Sequence, residues 1–307
     1  MAGAMGGSGQ LRVGTRGSRL ALAQTQIVVD LIRAAAPGTR VAVVPIRTAG
    51  DIAQAGEASG ADRKFAFTHE IDRQLIEGRV DVAVHSLKDL PSSLDRRLTI
   101  AATPPRGDVR DALVSLGGSN LGGLPIGSVV GTSSIRRKVQ LSKLRPDIRA
   151  VEVRGNVETR MERMREKGLD GVVVAAAGLQ RLGLAGRAAQ HFTVDEMVPA
   201  ACQGILAVES RKDDEGAIEL LKKVDDQATN LESSCERAFL ARLGGDCNFP
   251  AGAYAKITGV EMKIVGMVAE PDGSSVVKSA LSGPKSGPDE LGKELARRLL
   301  RNGGRRG

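Results

Sequence analysis

The chain has 307 residues, of which 41% are apolar and 26% charged, as in an ordinary globular protein. No run of about 18 apolar residues occurs and residues 1–10 lack the pattern of a secretory signal, so we expect neither a membrane span nor a secreted protein. The net charge of +8 suggests nucleic-acid binding, but aromatic residues make up only 2% and the arginines are dispersed. The composition therefore favours a small anionic ligand over a nucleic acid.

The cysteines give no sign of a metal site. Cys202, Cys235 and Cys247 have neither metal-ligand spacing nor the even number of a disulfide framework. This predicts a reducing compartment and no bound metal.

The first predicted elements are a strand, Leu11–Thr15, and a helix that ends near Ala36, with Ser18 as its N-cap. A second strand, Val41–Ile46, follows. Residues 48–64 are rich in Gly, Ala and Ser, which indicates either a mobile lid or a disordered insertion. Thr68 is the predicted cap of the next helix, which ends at Glu77.

The stretch Val80–Pro91 combines a buried strand, Val80–Val84, with a polar end that contains Lys88 and Asp89. Ligands of open α/β sheets bind at the carboxyl ends of strands, which makes Asp89 a candidate catalytic group. The alternative is an ordinary solvated Lys–Asp pair in a loop.

The remaining chain forms a second α/β unit after the linker at 104–108, and then a small α+β domain. Alternating strands and helices predict parallel sheets with right-handed crossovers. Gly204–Glu209 is predicted to return to the first unit, which would give two hinged lobes with a ligand cleft. The last strands, Ala251–Thr258, Glu261–Ala269 and Ser275–Leu281, predict an antiparallel sheet, closed by a helix from Pro288.

One pattern repeats along the chain: a strand, a small or hydroxyl residue, an arginine and a helix. Helix N-termini and arginine forks both favour anions, so the pattern predicts a site for several carboxylates. Phosphate is less favoured, because no P-loop or dinucleotide-binding glycine motif occurs. Positive neighbours would keep Asp89 ionised. The pattern comprises Arg16, Ser18, Ser134, Arg136, Arg137, Arg154, Asn156, Arg160 and Arg181.

Cys247 lies in a loop, after Gly244-Gly245-Asp246. A free cysteine is usually a small buried hydrophobe, which is our interpretation of Cys202 and Cys235. For Cys247 the loop favours exposure and therefore covalent chemistry, and this interpretation and that of a buried hydrophobe stay equally open.

Six motifs follow one another along the chain. They are Gly-Thr-Arg-Gly-Ser-Arg-Leu-Ala-Leu-Ala-Gln from Gly14, Val-His-Ser-Leu-Lys-Asp-Leu-Pro from Val84, Gly-Thr-Ser-Ser-Ile-Arg-Arg from Gly131, Arg-Gly-Asn-Val-Glu-Thr-Arg from Arg154, Ala-Ala-Gly-Leu-Gln-Arg-Leu-Gly from Ala176, and the Cys247 loop. In this order they resemble the hydroxymethylbilane synthase (porphobilinogen deaminase) family, and the resemblance runs from about Leu11 to Leu300.

The resemblance implies a transferase that joins four porphobilinogen molecules, with loss of ammonia, into hydroxymethylbilane in tetrapyrrole (heme or chlorophyll) biosynthesis. It implies a dipyrromethane cofactor bound to Cys247 through a thioether. Asp89 would be catalytic, contacting pyrrole N–H groups and stabilising the azafulvene-like cation. Cofactor contacts would come from Lys88, Ser134, Arg136, Arg137, Arg154 and Asn156, and substrate contacts from Arg16, Ser18, Lys64, Phe67, Arg160 and Arg181.

The resemblance also implies two periplasmic-binding-protein-like (type II) α/β lobes and a small α+β C-terminal domain. The expected domains are residues 11–104 with 201–222, residues 105–200, and residues 223–307; residues 1–10 would be disordered or a remnant of cloning. We expect porphobilinogen and the growing linear polypyrrole as ligands, no nucleic-acid or membrane partner, and a monomer in the cytoplasm, or in the plastid stroma of a plant or alga.

Two positions depart from the family pattern: Gly60, where a lid lysine is usual, and Asp246 beside Cys247. The alternative function is a non-catalytic, two-lobed carboxylate-binding protein or effector domain, which the first two domains alone would not exclude.

Overall fold

The fold is that of a computed structural model that describes residues 9–48, 62–244 and 250–303, without the side chains of residues 62–67, 302 and 303. Contacts divide the chain into two compact units. Unit 1 contains residues 1–106 and 205–230, and unit 2 contains residues 107–204 and 231–307. The finer division into three domains stays a prediction.

Helices and strands are numbered along the described chain. The strands are β1 (Gln10–Arg16), β2 (Arg40–Ile46), β3 (Val82–Ser86), β4 (Leu98–Ala102), β5 (Asp111–Ser115), β6 (Val129–Gly131), β7 (Arg149–Val151), β8 (Gly171–Ala175), β9 (Gln190–His191), β10 (Leu206–Arg211), β11 (Ala251–Thr258), β12 (Glu261–Ala269) and β13 (Val276–Pro284). The helices are α1 (Arg19–Ala35), α2 (Asp62–Ile76), α3 (Ile135–Leu144), α4 (Val157–Glu166), α5 (Ala176–Arg181), α6 (Glu215–Lys222), α7 (Gln227–Arg242) and α8 (Pro288–Gly303).

Unit 1 is built on a five-stranded sheet in the order β2-β1-β3-β10-β4. The valines of β1 and β3 are buried because helices cover both faces of the sheet, as the β-branched runs predict. α1 places Val28 and Ile32 on one face, and both are fully buried against Val13 and Val82. On the other face, Ile71 and Leu75 of α2 complete a second core.

Unit 2 contains a second sheet with the order β7-β6-β8-β5-β9. The two sheets have the same arrangement. β6, β7 and β8 pair in parallel like β1, β2 and β3, and the strand beside β8 or β3 is antiparallel in each. The turn after β6 therefore corresponds to the turn after β1, and the end of β8 corresponds to the end of β3.

The C-terminal part of unit 2 is an antiparallel sheet, β11-β12-β13, covered by α7 and α8. Phe239 of α7 and Leu295 and Leu299 of α8 are fully buried in its core. This is the α+β domain that the sequence predicts.

The structure corrects several predicted elements. The two α/β sheets are mixed rather than parallel, because the strands that follow each chain crossing, β5 and β10, run antiparallel to their neighbours. α2 already includes residue 62, so Thr68 lies inside the helix and is not its cap. The strand predicted at Val80–Val84 runs from Val82 to Ser86. α6 and β9, both short, are absent from the elements predicted from the sequence. Within the described ranges, no helix is both long and apolar enough to cross a membrane.

Candidate functional site

The turn between β1 and α1 carries the first predicted anion-binding group. Ser18 is the N-cap of α1, and its Oγ accepts a hydrogen bond from the backbone N–H of Ala21 at 3.3 Å. The capping prediction is confirmed. Arg16, the last residue of β1, is half-buried beside this turn. A guanidinium and a helix N-terminus therefore lie within three residues of each other, a combination suited to an anion.

The carboxyl end of β3 carries Asp89 on a short 3-10 turn, Leu87–Asp89. Leu87 is only 1% exposed, and its N–H donates to the carbonyl of Ile205 at 3.0 Å, which anchors the turn. Lys88 is half-buried and Asp89 exposed. The Asp89 carboxylate accepts no side-chain hydrogen bond from any residue that the structure describes. It is thus held on a rigid turn with its oxygens available to a ligand.

β1 and β3 bring these two turns together. Val13 pairs with Val82, and continuing this register places Arg16 level with His85. Both strands end at the point where the strand order reverses, which is where open α/β sheets bind ligands.

The resulting cavity, which we call the β1–β3 pocket, has an empty volume of about 470 Å³ including its open mouth. Its lining residues come from β1, α1, α2 and β3: Arg16, Ser18, Leu20, Ala21, Gln24, Thr68, Val84, His85, Ser86 and Asp89. Gln24 donates from Nε2 to Ser86 Oγ at 2.8 Å, tying α1 to β3. The structure thus brings together Arg16, Ser18 and Asp89 from the predicted site.

The corresponding turns of unit 2 also carry helix caps. Ser134 accepts from the N–H of Arg137 at 3.4 Å at the start of α3, and Asn156 accepts from the N–H of Thr159 at 2.9 Å at the start of α4. Gly155 has φ +110°, a conformation that glycine adopts most easily, and it turns the chain from Arg154 into this cap.

The two adjacent arginines of α3, which were predicted to contact a cofactor, are buried in the structure. Arg136 is 6% and Arg137 5% exposed, and both pair with the fully buried Asp111 at the start of β5. Arg136 donates from Nη1 to Asp111 Oδ2 at 2.8 Å and to the carbonyl of Val198 at 2.6 Å. Arg137 donates from Nε and Nη2 to Asp111 Oδ1, at 3.0 and 2.6 Å, and from Nη1 to the carbonyl of Val173.

Burial and the ion pairs shift the pKa values of Asp111 and Arg136. The two guanidinium groups outweigh burial and hold the pKa of Asp111 well below its usual range, whereas burial lowers the pKa of Arg136. Arg136, Arg137 and Asp111 together carry a net charge of about +1. Arg137 engages all three of its nitrogens with the protein but keeps one further N–H on each of Nη1 and Nη2, so its contact with a cofactor stays a prediction.

Three further arginines of unit 2 differ in exposure. Arg154 is half-exposed and pairs through Nε with Glu152 at 2.5 Å. Arg160 donates from Nε to the carbonyl of Gly155 at 2.8 Å. Arg181 does not follow the predicted pattern, because it ends α5 instead of lying near a helix N-terminus. It donates from Nη2 to the carbonyl of Gly204 at 2.6 Å, and burial lowers its pKa to about 10.

Some predicted site residues fall outside the described parts of the chain. Cys247 lies in residues 245–249, and the side chains of Lys64 and Phe67 belong to the undescribed part of α2; Gly60 and Asp246 are also outside. Cys202 and Cys235 are buried, as predicted.

Gln24 and Asp111 have clear structural roles but are absent from the site predicted from the sequence. Asp111 is the first residue of the apolar strand β5. A charged residue at the start of such a strand is the one sequence feature that could have indicated its role.

Family models and curated relatives both match the sequence of this chain over most of its length. Residues 11–219 match the family model described as porphobilinogen deaminase, dipyromethane cofactor binding domain, and residues 230–301 match its C-terminal domain. A porphobilinogen deaminase of Roseiflexus sp. (strain RS-1) is 48% identical over 96% of this chain and 97% of that protein. One from Syntrophotalea carbinolica is 44% identical over 96% and 94%. The chain belongs to the porphobilinogen deaminase family.

Membership in the porphobilinogen deaminase family explains both parts of the fold. The model of the cofactor-binding domain spans the two α/β sheets, and the C-terminal model spans the antiparallel sheet. Among solved structures, a YaeC-family lipoprotein from Enterococcus faecalis is 14% identical over 78% of this chain and 98% of its own, with a TM-score of 0.41. An arginine-specific periplasmic binding protein of Salmonella typhimurium is 12% identical over 72% and 93%, with a TM-score of 0.39.

Proposed function

We propose that this chain is a hydroxymethylbilane synthase, a transferase that joins four porphobilinogen molecules head to tail with loss of ammonia. The family match over nearly the whole chain supports this reaction. The observation that carries the proposal is the β1–β3 pocket, where the Asp89 carboxylate is available to a ligand beside Arg16 and Ser18.

Asp89 is the proposed catalytic residue. Its oxygens accept hydrogen bonds from pyrrole N–H groups of the substrate. As the bond to the ammonia nitrogen breaks, positive charge develops on the pyrrole, and a nearby carboxylate on a rigid turn stabilises that charge. When the next ring joins, the same carboxylate can accept the proton lost from carbon. Its exposure then allows that proton to pass to solvent.

The acetate and propionate groups of each pyrrole need cationic partners. In unit 1 we assign substrate carboxylates to Arg16 and Ser18 and a cofactor carboxylate to Lys88. In unit 2 we assign cofactor carboxylates to Ser134, Arg154 and Asn156 and substrate carboxylates to Arg160 and Arg181. Arg136 has Nε and Nη2 beyond the nitrogen that holds Asp111 and Val198, so it can also donate to a cofactor carboxylate.

A dipyrromethane fits these groups, because guanidinium and hydroxyl donors match its carboxylates and Asp89 matches its pyrrole N–H groups. When bound, the cofactor supplies the pyrrole carbon to which the first substrate is added. We propose that Cys247 holds it through a thioether and that Lys64 and Phe67 contact the substrate. We further propose that the enzyme acts as a monomer in the cytoplasm.

The rival function is a non-catalytic carboxylate-binding protein. Full-length relatives that carry the same C-terminal domain do not favour it. Intact mass separates the two. After incubation with porphobilinogen, the enzyme should exceed its sequence mass by one dipyrromethane; an unchanged mass together with no ammonia release would contradict our proposal.

A substitution tests Asp89 itself. Asp89→Asn keeps the shape of the side chain and removes its charge, so we expect ammonia release to fall about 10²- to 10⁴-fold while the fold and the bound cofactor remain. The matched control is Asp30→Asn, an exposed residue of α1 whose carboxylate accepts from Gln26 on the same helix. Equal activity of the two variants would rule out the role of Asp89.

A further inference from the structure

In the part of the chain that the structure describes, most of the buried polar atoms without a hydrogen-bond partner belong to residues around His85, which lines the β1–β3 pocket. Among the described residues, five buried side-chain oxygen or nitrogen atoms lack a hydrogen-bond partner. Four of them belong to three titratable residues: Asp72 Oδ1, His85 Nε2, and Glu209 Oε1 and Oε2. Buried polar atoms are normally satisfied, so such a concentration calls for a physical reason. We call these three residues the buried acid cluster.

The cluster is assembled by three elements of unit 1. In the antiparallel pairing of β3 and β10, Ala83 faces Glu209 and His85 faces Ala207. His85 and Glu209 therefore lie on the same face of the sheet, and His85 Nε2 is 3.4 Å from Glu209 Oε2. α2 covers this face and contributes Asp72. Glu209 is 0% and His85 7% exposed.

Glu209 and His85 are buried and Asp72 is half-buried. Three such groups do not all keep their charges, because burial of unpaired charge is costly. Sharing protons among them removes that cost. The titration of Asp72 agrees, since burial and the charge of Glu209 raise its pKa to about 7 against the opposing effect of His85. Asp95, the other charge that acts on Asp72, is paired with Arg97 at 2.8 Å.

The same imidazole also belongs to the ligand pocket, where His85 is a lining residue together with Arg16 and Asp89. A change in the charge of the cluster therefore changes the electrostatic potential at the place where the ligand binds. Thr68, one helical turn before Asp72 on α2, lines the pocket as well.

We propose that Asp72, His85 and Glu209 share protons as one unit, and that this unit sets the charge of the pocket wall, with His85 as a positioning residue. With two protons the unit is neutral; with one it carries a single negative charge. The proton is lost as the pH rises through about 7, where Asp72 titrates. The added negative charge opposes Arg16 and weakens binding of a carboxylate in the pocket. This last consequence rests on the proposed function, whereas the proton sharing does not.

The proton sharing is tested by nuclear magnetic resonance of the full-length protein labelled with ¹⁵N in its histidines. The chain has only three histidines, which His→Gln variants assign. The ¹⁵N shifts of the His85 imidazole should report the ionisation of Asp72 as a step near pH 7, which disappears in Asp72→Asn and in Glu209→Gln, while Asp30→Asn leaves it unchanged. The ¹⁵N shifts of His191, in unit 2, should be the same in all four proteins at each pH. Identical His85 curves in the wild type and both cluster variants would overturn the proposal.

Kinetics tests the effect on the pocket. Between about pH 6 and about pH 8, the KM for porphobilinogen should rise about three- to tenfold more in the wild type than in Asp72→Asn, with kcat following the same profile in both. Equal KM profiles, with the His85 step present, would refute the role in the pocket. Absence of any turnover in the wild type would instead refute the proposed function and leave the resonance result standing.

Discussion

Asp111→Asn is the most informative perturbation of unit 2. Asp111 is fully buried and accepts from both arginines of α3 and from Gln203 Nε2 at 2.9 Å. Asparagine keeps the volume of the side chain but leaves Arg136 and Arg137 buried without their counter-charge. The variant therefore tests whether one carboxylate holds both arginines in place.

The expected cost follows from the burial of all three groups. Removing one partner of a buried ion pair costs about 3 to 5 kcal/mol, because the remaining charge stays buried and uncompensated. With a urea dependence of about 3 kcal/mol per molar, this lowers the unfolding midpoint of unit 2 by about 1 to 1.7 M.

The chain provides its own probe for this unfolding. It has no tryptophan and one tyrosine, Tyr254, which lies in β11 of unit 2, so tyrosine fluorescence in urea reports on that unit alone. The control is Asp108→Asn, whose partner Arg110 is half-exposed, and its cost should stay below about 1 kcal/mol. Equal midpoints for the two variants would refute the reasoning.

The contribution of Asp111 to the free energy of unfolding should also depend on pH, in a direction that its lowered pKa determines. The folded-state pKa of Asp111 is lowered by the arginines, so its stabilising contribution is present above the unfolded pKa of about 4 and is lost as the pH falls below it. The difference in unfolding free energy between the wild type and Asp111→Asn should therefore be constant from about pH 5 to about pH 8 and shrink in stronger acid.

Three further predictions concern single contacts. Ser18→Ala removes the hydrogen bond that caps α1 and should lower the free energy of unfolding of unit 1 by about 0.5 to 2 kcal/mol, measured by urea denaturation with circular dichroism; Ser18→Thr, which keeps the hydroxyl, should recover most of it. Gly292→Ala would bring a Cβ against the carbonyl oxygen of Cys235, so we expect a cost of about 1 to 3 kcal/mol or more in the unfolding of unit 2, and a neutral result would contradict this close approach. Burial raises the pKa of Cys235 to about 12, so iodoacetamide at neutral pH should leave it unmodified in the native protein and alkylate it in urea, as peptide mass spectrometry can measure.

Local features of the fold could be predicted from the sequence because their causes are local. Ser18, Ser134 and Asn156 each cap the helix that follows them, since a cap needs only a side-chain oxygen three residues from an N–H. The β-branched runs before these turns identified the strands to within about two residues. The ordered motifs identified the family.

Contacts between distant parts of the chain could not be predicted in this way. The position of β10 between β3 and β4, and its antiparallel direction, depend on where the chain returns after unit 2. The same placement brings Glu209 beside His85, a pair with no signal in the sequence around either residue.

The sequence by itself determined the α/β architecture with its α+β C-terminal domain, the N-cap of α1 and the family, because hydrophobic periodicity, turn chemistry and motif order are written along the chain. Only the tertiary structure decided which charges meet. The pattern treats every arginine after a strand alike, yet Arg136 and Arg137 lie within reach of Asp111 and are buried, whereas Arg154 is half-exposed. The electrostatic interaction of a side chain depends on the distance to its partner and on its burial, and both are set by the packing of β5 against β8.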